Sequence, residues 1–528
     1  MLGRARVSPS SRWVRGLSQA VTCGTPVPGL SAEACEQKYL LGSYNGDGVR
    51  VRRGLVLDRG LGCTLYDTAN GRSYLDWFAG IAVNALGHSD PGVAAVLAAQ
   101  AGKVQHLSNL YHSWEPLRLA ELMVRHSRHF QKVFLCNSGT EANEGALKLA
   151  KKHHLLAAMR AVTGQASPPP FKAFGCKASP PTACLTQNGM CGCWPQAANN
   201  DLALHQKTEV LAFKNSFHGR SMGSLAVTHK PAIRYPFGPF PADVRFARFN
   251  NIDGQCPAAS ARSARTHSPR CAHTHAHTHT HTHTHTHFPP HPSPHHPPLF
   301  SDVHTMWTPK IGAIIVEPVQ GEGGIYPATA AYMSALKDKC EASGALLIVD
   351  EVQCGLGRSG RLWAHEAYDV APDMMTLAKP LAGGLPIGAV LMTDAVAAAI
   401  VPGDHGTTYG GNPLCAAVAE HVFERIAAPG FLQATQARGA QLLAGCRALA
   451  ADFPEVVGEV RGTLDGGLFV GMDLKKPFKA LQDAAVDRGL LIISCGENTV
   501  RICPPLVITQ EEVAKGLAIL REAIKAAY

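Results

Sequence analysis

Three short runs in this chain hold residue types suited to gripping a phosphate, a protonated ring nitrogen and a carbonyl carbon. The first is Asn137-Ser138-Gly139-Thr140-Glu141-Ala142-Asn143, which follows the strand-like Val133–Leu135 and opens an Ala/Leu/Lys-rich helical stretch. Free N–H groups at a helix start, with a glycine that lets an anion come close, make a phosphate site. A strand-to-helix turn that needs only an N-cap has the same look. The second run, Ala345 to Gln353, puts Asp350 at the carboxyl end of an apolar strand. Open α/β sheets bind ligands at that end. A carboxylate there can hold a pyridine nitrogen protonated and keep the ring an electron sink, or merely cap the next turn. The third run, Thr376 to Gly388, brings Lys379 to the end of an apolar segment and into a Gly-rich turn. Partial burial near other cations lowers an amine pKa, as Schiff-base chemistry requires. A lysine that snorkels to solvent is the alternative for Lys379 alone. The three runs together point to pyridoxal phosphate (PLP).

Such a site needs a rigid sheet behind it. Short apolar or β-branched runs at Lys132–Cys136, Thr208–Phe213, Gly312–Val316, Ala345–Val349 and Ile387–Met392 alternate with helical patterns. Runs of that kind predict parallel strands buried on both faces. Thr64–Tyr66 and Tyr74–Trp77 read as strands leading into the Gly/Ala-rich segment Ala79–Leu86. From about residue 413 the pattern is helices with short strands at Gly467–Met472, Leu490–Ser494 and Val500–Cys503, closing on a helix over Gln510–Tyr528. The expected fold class is α/β: a large mixed or parallel sheet domain over about 91–412, and a smaller α+β domain over 413–528. Residues 33–90 are expected to pack with the smaller domain.

Hydrophobic residues make up 46% of the 528, enough for a sizeable core. The formal charge of +9 comes partly from the N-terminal stretch, where Arg4, Arg6, Arg12 and Arg15 precede the first acid, Glu33. No basic stripe with interleaved aromatics argues for nucleic acid, and no apolar run reaches the ~20 residues of a membrane span. The 16 cysteines are scattered, several inside apolar runs, which favours reduced core thiols over disulfides. Residues 1–32 carry Arg and Ser, no acid and no continuous apolar run, the pattern of an organelle transit peptide. A mitochondrial matrix address is expected, with plastid stroma as the alternative. Two segments lack periodicity: about 163–206, rich in Pro and Cys, and about 255–307, which holds alternating His-Thr over 273–287. Both read as low-complexity insertions without a core. Neutral imidazoles could bind metal, but a CACA microsatellite read in frame encodes the same alternation. Cys176, Cys184, Cys191 and Cys193 lack paired zinc spacing, so no metal site is expected.

The three runs, in this order, resemble the class III aminotransferases (ornithine/4-aminobutyrate type) of PLP-dependent transferase fold type I. The resemblance covers about residues 36–528 outside the insertions. Further matching segments are Gly80-Ile-Ala-Val-Asn-Ala-Leu-Gly-His88, Ser216-Phe-His-Gly-Arg220, Val316-Glu-Pro-Val-Gln-Gly-Glu322 and Gly403-Asp-His-Gly-Thr-Thr-Tyr-Gly-Gly-Asn-Pro413. The resemblance implies that Gly139 and Thr140 bind the phosphate through backbone N–H groups. It implies that Phe217 stacks on the pyridine ring, Val352 packs on the other face and Gln353 reaches the phenolic oxygen. Thr408 would complete the phosphate site of a neighbouring subunit, so a homodimer with shared sites is implied. Arg220 would grip the α-carboxylate of an ornithine-type donor, and Arg501 that of 2-oxoglutarate or glutamate. Glu322 would neutralise Arg501 while the first donor is bound and swing aside for glutamate, since an unpaired buried arginine is costly. Lys379, once freed, would serve as the base for the proton shift.

Within the family, the Gly80–His88 run and Gly-Asp-His-Gly-Thr-Thr are more like the acetylornithine type of arginine biosynthesis than the ornithine δ type. The latter typically carries Tyr where Ile81 stands. Tyr44 matches a substrate-side Tyr, although Tyr44-Asn-Gly-Asp-Gly48 departs from the usual Arg- and Pro-containing surroundings. The implied reaction moves an amino group from N2-acetyl-L-ornithine to 2-oxoglutarate. Its rivals are an ornithine or 4-aminobutyrate donor and, among non-enzymes, a degenerate PLP fold that binds metal or acts as a scaffold.

Overall fold

The apolar runs become strands in a computed structural model that describes Gly29 and residues 31–41, 55–163, 207–252 and 302–528. The N-terminal segment expected to be a transit peptide, up to residue 28, Tyr44 and most of both expected insertions lie outside the described residues. Near the N-terminus β1 (Arg59–Leu61), β2 (Thr64–Asp67) and β3 (Arg72–Asp76) form an antiparallel meander. The large sheet takes β4 (Lys132–Cys136), β5 (Glu209–Phe213), β6 (Val244–Ala247) and β7 (Ile311–Val316). After the small hairpin β8 (Val319–Gln320) and β9 (Tyr326–Pro327) it gains β10 (Leu346–Asp350), β11 (Met374–Leu377) and β12 (Gly388–Met392). Its order is β4-β12-β11-β10-β7-β5-β6. A second four-stranded sheet joins β13 (Val457–Arg461), β14 (Val470–Leu474), β16 (Ile493–Cys495) and β17 (Thr499–Ile502), while β15 (Leu490–Leu491) pairs with β3. That pairing ties the N-terminal meander to the C-terminal part of the chain. Cys503 N to Trp77 O (2.9 Å) and Leu506 N to Ala85 O (2.7 Å) add to the tie.

One strand departs from the parallel expectation. β12, read in sequence as Ile387–Met392, runs antiparallel to both β11 and β4. The reason is the connection. Residues 378–387 are too few for the crossover that a parallel neighbour needs, so the chain turns straight back after Lys379.

The pleat sorts the buried strands into two cores. Leu347 and Val349 of β10, Ile314 and Val316 of β7, and Leu391 of β12 point into the larger core. Leu346 and Ile348, Ala313 and Ile315, and Val390 point the other way, towards the helix Gly139–Thr163. Each fully buried Val, Leu or Ile contributes about 1.5–3 kcal/mol, so a one-residue slip that reverses this parity is strongly disfavoured. Asp350 and Thr376 share the parity of Ile348 and Met374. Both therefore face the Gly139–Thr163 helix.

The second insertion ends earlier than its composition suggests. Asp302 caps the short helix Val303–Met306 by accepting from Thr305 N at 2.6 Å, and Val303 is fully buried in the larger core. The limit of 307 must move back to 301. Val303 is a single apolar residue beside a Pro/His tail, too little to give a periodic signal. Among the described residues, no helix is long and apolar enough to cross a membrane.

Candidate active site

At the end of β4 the chain turns through Asn137 and Ser138 into a helix. Glu141 Oε2 accepts from Asn137 N at 2.7 Å and from Asn137 Nδ2 at 2.8 Å, and Ser138 Oγ accepts from Glu141 N at 3.2 Å. Gly139 and Thr140 open the helix, where N–H groups have no intrahelical acceptor. A Cβ on Gly139 would come within 2.5 Å of Val352, so only glycine lets the two turns touch. Thr140 Oγ1 accepts from Arg220 N and Ser221 N, each at 3.2 Å, and lies 2.7 Å from Ser221 Oγ. The anion turn is thereby locked to the loop carrying Phe217 and Arg220.

Parity brings Asp350 under this turn. Its Oδ2 accepts from Asn143 Nδ2 at 2.8 Å and lies 2.7 Å from His218 Nδ1, and its Oδ1 accepts from Val352 N at 2.9 Å. Asn143 also donates to His218 O at 2.7 Å and accepts from Thr376 Oγ1 at 2.8 Å. Three donors hold a buried carboxylate in one orientation. Lys379 lies two residues past the end of β11, at the mouth of the reversal into β12. Burial draws its ammonium pKa below the usual lysine value, and Arg501 adds to this against the opposing Asp350, Glu317 and Glu322 carboxylates.

Arg501 lies on β17 with its side chain only 4% exposed. Its Nη2 meets Glu322 Oε2 at 3.0 Å, and Nη1 donates to Gln353 Oε1 at 3.3 Å. Glu322 Oε1 also meets Lys230 Nζ at 3.1 Å. Burial alone would raise the Glu322 pKa; Arg501, Lys230 and Lys379 outweigh it and hold the carboxyl below its ordinary value. Arg501 Nε is enclosed and has no hydrogen-bond partner among the described residues. Arg220 differs: it is exposed and forms no ion pair among the described residues. A cleft of about 570 Å³ runs past Phe217, Lys230, Glu322 and Tyr326.

Other expected residues lie further out. Thr408 is exposed in the loop before Asn412, and its neighbour Thr407 accepts from Asn137 Nδ2 at 2.8 Å. Ile81, 43% exposed, sits in a left-handed turn in which Ala79, Gly80, Ile81 and Ala82 all have φ between 48° and 67°. Such a turn costs roughly 1–2 kcal/mol per non-glycine residue. Asp76 anchors it by accepting from Phe78 N and Ala79 N at 2.9 and 2.8 Å, while His88 Nε2 holds its other oxygen at 2.7 Å. Sequence reasoning gave no role to Asn143, His218, Glu317 or Lys230. The first three lie inside quoted runs, yet nothing local reveals their distant partners. Lys230 carries no signal at all.

The family model of class III aminotransferases matches residues 47–524. The chain belongs to the class III aminotransferases. Class III aminotransferases are PLP-dependent enzymes of fold type I. This one is 40% identical over 470 residues to a probable mitochondrial acetylornithine aminotransferase of Dictyostelium discoideum, covering 88% of this chain and 83% of the relative. It is 39% identical to the mitochondrial acetylornithine aminotransferase of Alnus glutinosa, covering 94% and 89%. Among solved structures, N-acetylornithine aminotransferase from Stenotrophomonas maltophilia K279a matches with a TM-score of 0.62 at 32% identity, over 90% of this chain and 97% of that one. Ornithine aminotransferase from Toxoplasma gondii shares the fold at a TM-score of 0.70 and 24% identity, over 94% of each chain.

Proposed function

We propose that this aminotransferase moves the δ-amino group of N2-acetyl-L-ornithine to 2-oxoglutarate, giving N-acetylglutamate 5-semialdehyde and glutamate. The observation that carries this reading is the contrast between its two arginines. Arg501 is buried and already paired with Glu322, whereas Arg220 is exposed and unpaired among the described residues. Two substrates that present carboxylates in turn need this asymmetry. Arg220 receives the α-carboxylate of the first donor while Glu322 occupies Arg501, and Arg501 receives 2-oxoglutarate once Glu322 withdraws. The likeness to acetylornithine aminotransferases over most of the chain supports the same donor.

The residues fit PLP. The Gly139 turn opens a helix whose first N–H groups have no intrahelical acceptor and packs too closely on Val352 to admit a Cβ, and Asp350 is oriented for a protonated ring nitrogen. When bound, PLP would supply a carbonyl carbon for the amino group and an electron sink. Asp350 would hold the proton at that nitrogen. Lys379, with its lowered pKa, anchors the cofactor and then carries the transferred proton. Phe217, Val352 and Gln353 are assigned to the two ring faces and the phenolic oxygen. Thr408 reaches the neighbouring subunit's phosphate in a homodimer. Exposed Leu110, Tyr111, Trp114 and Tyr409 give that interface its apolar surface. Relatives named as mitochondrial and the acid-poor N-terminus support a mitochondrial matrix address.

Ile81 sets the donor preference in this reading. Acetylation removes the α-ammonium charge of ornithine, and an apolar wall offers a free ammonium no partner. The kcat/KM for N2-acetylornithine should exceed that for ornithine by at least about tenfold, or ~1.4 kcal/mol. Ile81→Tyr should narrow the gap. A donor panel on purified protein, read by glutamate formation, tests this. A wild-type preference for ornithine, or equal transfer from 4-aminobutyrate, overturns the substrate assignment.

A further inference from the structure

We propose that Glu317 is a positioning residue whose single buried carboxylate clamps the loop of Phe217 to the loop of Glu322. This rests on reading Phe217 and Glu322 as cofactor and substrate contacts. Glu317 directly follows β7, which lies between β5 and β10 in the large sheet. β5 leads into the Phe217 loop, and β10 ends at Asp350. Glu317 Oε1 accepts from Phe217 N at 2.9 Å, and Oε2 accepts from Gly321 N at 3.0 Å. Gly321 immediately precedes Glu322, and a Cβ on it would overlap the Gln353 amide. The clamp therefore sets one wall of the ring pocket and the hinge of the Arg501 partner together.

The chemistry of both contacts requires a carboxylate. Both partners are N–H donors, and only an acceptor on each arm can satisfy them. Glutamine would turn an NH2 towards one of the two amides. The charge is costly to bury. Burial pushes the Glu317 pKa up to about 7, with His218 opposing and Asp350 adding to the rise. His218 comes from the loop after β5 and Asp350 from β10, while Lys379 and Cys354 also feel this carboxylate. A group this expensive sits where two functional loops must be joined.

Two pH consequences follow with opposite signs. The clamp works when ionised, so turnover should fall as pH drops through about 7. Stability runs the other way. A carboxyl raised in the folded state contributes stability that is fully present below its ordinary pKa and lost as pH rises through about 7. Glu317→Gln should therefore gain in melting temperature relative to wild type between pH 5 and pH 8.

The experiment compares PLP-loaded wild type with Glu317→Gln and Glu317→Asp. It measures PLP release into buffer, both half-reactions by stopped flow from pH 5.5 to 8.5, and melting temperature. We expect at least about tenfold faster PLP loss in Glu317→Gln, at least about tenfold lower kcat in both half-reactions, and a flattened acid limb. If Glu317→Gln does not fold, Glu317→Asp carries the test, because its shorter arm can reach only one amide. A variant that melts lower yet keeps wild-type PLP retention, rates and acid limb would overturn the clamp. Failure of the donor assignment is separate: it appears in wild type on the donor panel and leaves the PLP-release comparison intact.

Discussion

Lys379→Ala should give a protein that folds, by far-ultraviolet circular dichroism, but turns over at a small fraction of the wild-type rate. The residue stands where the chain reverses from β11 into β12, and Arg501 and burial together disfavour its charge. Removing it takes away the covalent anchor and the group that carries the proton. The proton carrier alone accounts for roughly 10²–10⁴-fold in rate, and loss of the anchor adds to that. The bound cofactor's visible absorbance should change in band position or vanish. A pH series gives a second handle. The neutral amine is the nucleophile and its pKa is lowered, so PLP uptake by stripped wild type should rise with pH about a midpoint below the ordinary 10.5. The alanine variant should show no such rise. A variant with wild-type turnover and an unchanged visible spectrum would remove Lys379 from its assigned role.

The site was legible where one residue's local setting decides its role. An aspartate ending a fully apolar strand and a lysine ending an apolar run could be singled out because charge in those places is expensive. The buried strands were legible for the same reason: Ile311–Val316 has no polar residue and had to be covered on both faces. β6 and β13 were not, because Arg245 and Glu459 interrupt short runs that lie at sheet edges. The direction of β12 depended on counting its connection rather than on its composition. The left-handed turn at Ala79–Ala82 is hidden because three of its four residues are not glycine, and its support, the Asp76–His88 pair, is built from residues twelve apart. Glu317 and His218 stood inside runs already singled out. Their work lies in partners such as Gly321 and Asp350, which only the folded sheet brings to them.

Glu322→Gln should damage the acetylornithine half-reaction far more than the glutamate half-reaction. In the resting arrangement the carboxylate is shared between Arg501, which is almost wholly enclosed, and Lys230, which is 45% exposed. Lys230 can turn to water, so its share is worth no more than ~1 kcal/mol, and Lys230→Gln should cost less than about fivefold. Arg501 has no such escape. Gln353 Oε1 and Ser494 O are its remaining acceptors, both at 3.3 Å, and its Nε already lacks a partner among the described residues. Breaking a buried pair by removing one member costs roughly 3–5 kcal/mol. Glu322 is itself 25% exposed, which argues for the low end of that range, a loss on the order of a hundredfold. That loss falls on the step in which the bound donor brings no carboxylate to Arg501. Glutamate brings its own, so its half-reaction should change by less than about tenfold. Stopped-flow measurement of each half-reaction at saturating donor separates the two. Equal losses would mean that Glu322 holds the pocket together without exchanging places with the substrate.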